Sequence, residues 1–188
     1  MPALIPFYLS PDQNPDGAEP VPYNALMNEE LSPQFPVVAG KTYLFRIINM
    51  AAFSQFFLHF DQHTMTIVEV DGIYTQPTVV SDLYIATAQR YSVLVTMKAT
   101  ATKNFAILAA ADTDKYDNVP SYLSPNVTGS LVYDKTKPIP LEAPAVQSFN
   151  TMDDFTMVPL DRAPLLAGKP DTSIVLDLDF FERDGENR

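Results

Sequence analysis

GKTYLFRIINMAAFSQFFLHFDQHTMTIVEVDGIYTQPTVVSDLYIATAQRYSVLVTMK, residues 40–98, alternates Val, Ile, Tyr, Phe and Thr with polar residues between short turn signals. Side chains of an extended chain point to opposite faces in turn, so Tyr43, Phe45 and Ile47 share one face and Leu44, Arg46 and Ile48 the other. Tyr43, Phe45, Ile47, Ile67, Val93 and Val95 are expected to be largely buried. Val70-Asp71-Gly72-Ile73 supplies a tight turn, because glycine tolerates the positive φ that a β-branched residue resists. The pattern is all-β. Extended outward, it places strands near 36–39, 41–49, 55–60, 64–71, 79–86, 89–97, 104–110 and 129–134, the spacing of a sandwich or barrel. One short helical turn is expected near 119–123.

The flanks read differently. Pro2, Pro6, Pro11, Pro15, Pro20, Pro22, Pro33 and Pro36 remove backbone donors from the first segment, which cannot be a central strand or a helix. The division expected is a connecting arm over 1–35, a folded domain over 36–135, an irregular Pro-rich linker over 136–171 and a terminal strand and tail over 172–188. That last strand rests on the alternation Thr172-Ser-Ile-Val-Leu-Asp-Leu-Asp-Phe180. No internal repeat is visible.

Composition bounds the function. A chain of 188 residues, 46% hydrophobic, is long enough to bury one substantial core. Its net charge of -11, from 23 acidic against 12 basic residues, argues against a nucleic-acid partner, whose phosphates need Lys and Arg. The absence of cysteine removes disulfides, thiolate nucleophiles, zinc fingers and iron–sulfur ligation. No apolar run approaches the length that crosses a bilayer, and Met1-Pro2-Ala3-Leu4-Ile5-Pro6 lacks the basic start and apolar length of a signal peptide.

Few residues carry candidate chemistry. His59 and His63, the two histidines, lie four apart, a metal-pair spacing on a helix, but this segment reads as strand and turn, which favours packing or surface roles with adventitious metal binding as the alternative. Asp112-Thr-Asp114-Lys-Tyr-Asp117 starts like a calcium loop but has Asp117 where the turn glycine belongs and Leu123 where the bidentate Glu belongs. Asp153 and Asp154 are adjacent, so on a strand they would face opposite ways; on a loop they are solvated charges. No Gly-x-Ser-x-Gly elbow, phosphate loop or dinucleotide fingerprint occurs. Composition alone still permits a Ser-His-Asp arrangement, which is recognised by geometry. Within Gln89-Arg90-Tyr91, Arg90 either pins loops or is a solvated charge. Asn126-Val127-Thr128 is an N-glycosylation acceptor pattern.

Four ordered segments carry a family resemblance: Gly17-Ala-Glu-Pro-Val-Pro22, Gly40-Lys-Thr-Tyr-Leu-Phe-Arg-Ile-Ile-Asn49, Met65-Thr-Ile-Val-Glu-Val-Asp-Gly72 and Ala88-Gln-Arg-Tyr-Ser-Val-Leu-Val95. Weaker matches follow at Val119-Pro120-Ser121, Leu131-Val132-Tyr133 and Met152-Asp153-Asp154-Phe155. Together they resemble the second, copper-free, plastocyanin-like cupredoxin domain of fungal three-domain multicopper oxidases of the ferroxidase and laccase type. The resemblance implies a Greek-key β-sandwich or barrel, an extracellular, secreted parent protein, and flanking cupredoxin domains as partners. It also implies that copper is held by those neighbours, so no cofactor is expected in this chain. A blue copper centre needs two His and one Cys, a set this chain cannot supply. In ferroxidases a carboxylate at the position matching Asp154 helps attract ferrous iron, which makes Asp154, Asp153 and, near the histidines, Asp61 the candidate iron-facing residues. A Glu follows the residue matching His63 in those enzymes; here Thr64 stands there, which leaves a laccase-like oxidase open. Alternatively the domain stands free, self-associating or serving as an interaction module, or carries an unrelated hydrolase site. Enzyme activity of the chain itself is left open.

Overall fold

A computed structural model describes residues 21–163 and 170–177, together with the backbone of 182–183 and 186–187. The expectations for Pro2 through Pro20 and for residues 178–180 fall outside these. Nine strands build two sheets: β1 (Gln34–Pro36), β2 (Thr42–Ile48), β3 (Phe56–Phe60), β4 (Met65–Val70), β5 (Ile73–Val80), β6 (Asp82–Ile85), β7 (Arg90–Thr96), β8 (Phe105–Ala111) and β9 (Asn126–Val132). One sheet runs β1-β9-β8-β3-β6 and the other β2-β7-β4-β5. All pairings within them are antiparallel except β1 with β9. The fold is all-β and sandwich-like, as the alternation implies.

The core lies between the sheets, where Phe60, Met65, Ile67, Leu83, Tyr91, Val93, Val95 and Leu131 are almost wholly buried. Tyr43, Phe45 and Ile47 face this core but are only partly buried, a correction to a reading that treats all three as interior. The cause is position: β2 is an edge strand, so its inward side chains are covered on one side only. Phe45 still packs edge-on against Phe60, with ring centroids 5.1 Å apart. Leu44 and Ile48 point outward and are exposed.

Two elements depart from the alternation pattern. The single strand expected over 79–86 is two strands on different sheets, because the chain crosses the sandwich at Ser81. Periodicity continues unbroken through such a crossing and cannot reveal it. The second is the Pro77-bearing strand β5, whose residues 73–78 sequence left unassigned. It is the edge of its sheet, and Pro77 falls where the β4–β5 register shifts between Ile67 and Glu69, so the missing N–H disrupts no ladder bond. The turn at Asp71-Gly72 has φ of 50° and 90°, the left-handed pair of a two-residue hairpin that joins β4 to β5.

Short 3-10 turns occur at Thr113–Lys115 and Asp154–Thr156; near 119–123 there is only a turn closed by Leu123 N–H on the Pro120 carbonyl. Residues 172–177 form no strand, and Ile174, Val175 and Leu176 are exposed. An alternating sequence makes a strand only where a sheet edge receives it, and no edge meets this segment among the described residues. Glu182–Arg183 pairs with Glu186–Asn187.

The irregular segment after β9 is stitched onto the sandwich. Phe149 stacks on Phe57 at 4.6 Å, the Asn150 N–H donates to Asp82 Oδ2 at 3.0 Å, and Met152 and Met157 pack on the core. Beyond them Gln76 N–H donates to the Val158 carbonyl and Leu160 N–H to Tyr74, each at 2.8 Å, which extends the β5 edge by one bridge at Thr75 and Pro159. This strap brings Asp153 and Asp154 against the sheets.

Candidate functional site

The histidines are held apart by their partners. His59 lies on β3 opposite Asp82 of β6, and its Nδ1 sits 2.7 Å from Asp82 Oδ1. Ser81 Oγ donates to the other oxygen of the same carboxylate at 2.7 Å. Serine and imidazole therefore meet a shared acid instead of each other, which is not the relay order of a hydrolytic triad. His63, just before β4, is buried. Its Nδ1 is 2.7 Å from the Asp61 carbonyl and its Nε2 is 2.7 Å from Tyr133 Oη.

A carbonyl can only accept, so Nδ1 carries the proton and Nε2 accepts from Tyr133, whose oxygen in turn accepts the Lys98 N–H at 2.8 Å. Both ring nitrogens are thereby occupied in a neutral imidazole. Burial, the largest cause, holds His63 below the ordinary histidine range; Lys98 adds to this, and the contacts with Asp61 oppose it.

These arrangements do not fit a copper centre. The sequence offers no thiolate, and the nitrogens of His63 are committed within the fold. Among the described residues no three His, Asp or Glu side chains converge as a ligand group. Asp112, first residue of the calcium-like run, accepts from Tyr84 at 2.8 Å instead of facing an open loop.

The acidic candidates divide between two ends of the sandwich. Asp61 Oδ2 pairs with Lys103 Nζ at 3.2 Å, beside the entry to β4. Asp154 meets Tyr91, which pairs with Val70 at the far end of β4. With about 3.3 Å of rise per strand residue, the six residues of β4 keep the two carboxylates well apart. Asp153 caps the 3-10 turn, its Oδ1 accepting the Phe155 N–H at 3.0 Å. Asp154 Oδ1 accepts from Tyr91 Oη at 2.8 Å and Oδ2 from Gln89 Nε2 at 3.2 Å. Burial, and then the bond to Asp154, push the Tyr91 phenol well above the usual tyrosine range, so it stays protonated and donates. Arg90, between these donors, bonds the Ala88 carbonyl at 3.1 Å and Asp71 at 3.0 Å, the loop-pinning role. Asn126 opens β9 and is exposed.

Beside this end, a groove of about 200 Å³ on the four-stranded sheet is lined by Arg46, Ile48, Glu69, Gly72, Arg90 and Ser92. Ordinary small-molecule pockets measure about 300–1,000 Å³, so this groove is smaller than most. Sequence reading missed the grip of Gln89 and Tyr91 on Asp154, because that contact spans more than sixty positions. It also missed Asn104, whose amide bonds Tyr133, Asp134, Lys137 and Pro138 and fixes the exit from β9. No local pattern marks either.

Residues 1–136 match the multicopper oxidase family. The chain belongs to that family. Over all 188 residues it is 48% identical to the iron transport multicopper oxidase FET3 of Gibberella zeae, of which it spans 30%. It is 39% identical over 185 residues to the iron transport multicopper oxidase fio1 of Schizosaccharomyces pombe, spanning 29% of that protein. In three dimensions the whole chain superposes on 35% of Fet3p, a multicopper oxidase that functions in iron import, with a TM-score of 0.93 and 37% identity. The laccase of Botrytis aclada matches over 69% of the chain and 24% of its own length, with a TM-score of 0.55 and 27% identity. The multicopper oxidase chain described here is therefore ferroxidase-like in sequence and cupredoxin-like in fold, and spans about a third of its relatives. No helix among its described residues is long and apolar enough to cross a membrane.

Proposed function

We propose that this chain is the middle cupredoxin domain of a secreted, ferroxidase-like multicopper oxidase, copper-free itself, and that it spaces the copper-bearing domains and walls the substrate cavity. The observation that carries the reading is full-length superposition on a third of Fet3p by a chain that has no cysteine and two histidines. A spacer needs rigidity more than ligands, and the strap stitched across both sheets supplies it. The exposed apolar run Ile174–Leu176 and the exposed Leu44 and Ile48 give neighbouring domains surface to cover. Asp154, on an exposed turn, faces incoming ferrous iron; Asp153 caps that turn, and Asp61 lies too far along β4 to share the task.

A chimera tests this: the matching segment of the Gibberella zeae relative is replaced by this chain. The chimera should load copper and oxidise ferrous iron, and Asp154→Asn within it should raise KM for ferrous iron about threefold or more while phenol oxidation is unchanged. A folded chimera that loads copper in its flanking domains but oxidises no iron would remove the ferroxidase assignment. Failure of a folded chimera to load copper would remove the spacer role.

A further inference from the structure

Asp154 sits on the exposed crest of the strap, between the anchoring side chains of Met152 and Met157. Its neighbour Phe155 is 99% exposed, and the turn is a single 3-10 unit without buried residues. Yet both carboxylate oxygens are engaged by donors from the entry to β7. Tyr91 is 1% exposed, so its ring is locked in the core and its hydroxyl emerges at one point. Gln89 is locked differently: its Oε1 accepts the Ala86 N–H at 2.7 Å, which fixes the amide orientation and leaves Nε2 as the group that reaches Asp154. One donor is anchored by packing and the other by a backbone bond, and they meet on one acid.

We propose that Gln89 and Tyr91 are positioning residues that fix the Asp154 carboxylate in a single orientation, ready for a hydrated divalent cation. The assignment of the cation rests on the reading given under the proposed function; the fixing of the carboxylate does not. One lone pair of each oxygen is spent inward on a donor, and the outward pairs are left to the water shell of the ion. Such contact is weak and quickly reversed, which suits passing an ion onward more than retaining it. Removing the Tyr91 hydroxyl does not hand the cation a new lone pair, since that pair then faces a buried phenyl ring. What is lost is orientation, and the rotamer freedom that returns must be frozen again on binding.

Two measurements on this chain separate the claims. Three-bond couplings about χ1 of Asp154, without metal, should report one rotamer in the wild type and averaging in Tyr91→Phe and in Gln89→Glu, which keeps the acceptor for Ala86 but loses the donor. An averaged Asp154 in the wild type, or one that stays fixed in both variants, overturns the positioning role. Paramagnetic broadening by Mn²⁺ should centre on residues 153–156 in the wild type, vanish in Asp154→Asn and need about fivefold more Mn²⁺ in Tyr91→Phe. Fixed χ1 with broadening that ignores Asp154→Asn would sink the cation assignment while the positioning stands. Broadening lost in Asp154→Asn but equal in Tyr91→Phe and wild type would contradict the positioning role.

Discussion

At the scale of single residues, His63 shows how a side chain that sequence marks as a metal candidate is absorbed into the fold. The spacing of His59 and His63 was legible, and so was the unsuitability of that spacing on a strand. The partners were not, because Tyr133 and Asp82 lie far along the chain and meet the rings only once the sheets form. His63 is neutral in the fold and its pKa is lowered from 6.5 by burial. The unfolded chain therefore binds this proton more readily than the folded one. The contribution of His63 is fully present above about pH 6.5 and is lost as pH falls from there toward the lower folded value. Urea unfolding at about pH 7.5 and about pH 5.5 should show this loss, and His63→Gln should flatten that part of the profile. A wild-type profile no steeper than that of the variant would place the imidazole in water. Tyr133→Phe, which deprives both His63 Nε2 and the Lys98 N–H of their partner, should cost about 1–3 kcal/mol at neutral pH.

At the scale of elements, alternation located most strands, and the hairpin at Asp71-Gly72 was readable from two residues because only a left-handed pair matches the strand twist. Gly72 stands at φ 90° with open space around its Cβ position, so a side chain there meets strain and no clash. Gly72→Val should lower stability by about 1–2 kcal/mol in equilibrium unfolding, and an unchanged midpoint would mean that the turn relaxes at no cost. The crossing at Ser81 and the strand that carries Pro77 escaped the reading, the one because both sheets share a period of two, the other because proline within a strand is acceptable only on an edge, at its first residue or at a bulge. Ile67, by contrast, is fully buried on the central strand β4 and was assigned to the core from alternation. Ile67→Ala should cost about 2–5 kcal/mol; a loss under about 1 kcal/mol would show that the sheets close over the gap.

At the scale of the whole molecule, the described residues build an acidic β-sandwich with a strap across its two sheets, from a sequence that holds two histidines and no cysteine. Sequence alone made that mismatch visible: the motifs of an oxidase stand in a chain without cysteine. What sequence left out is how the Pro-rich segment after β9 is stitched onto the sandwich, through Phe149 on Phe57 and the two donors on Asp154. Those contacts depend on residues with no periodic signature. The central claim, that copper belongs to the neighbours and not to this domain, is tested most directly by dialysing the purified chain against Cu²⁺ and recording bound copper, the visible spectrum and ferrous-iron oxidation together. The account predicts no blue thiolate-to-copper absorption, copper removed by further dialysis and no oxidation above buffer. Copper retained at one or more ions per chain, with turnover of ferrous iron, would contradict it.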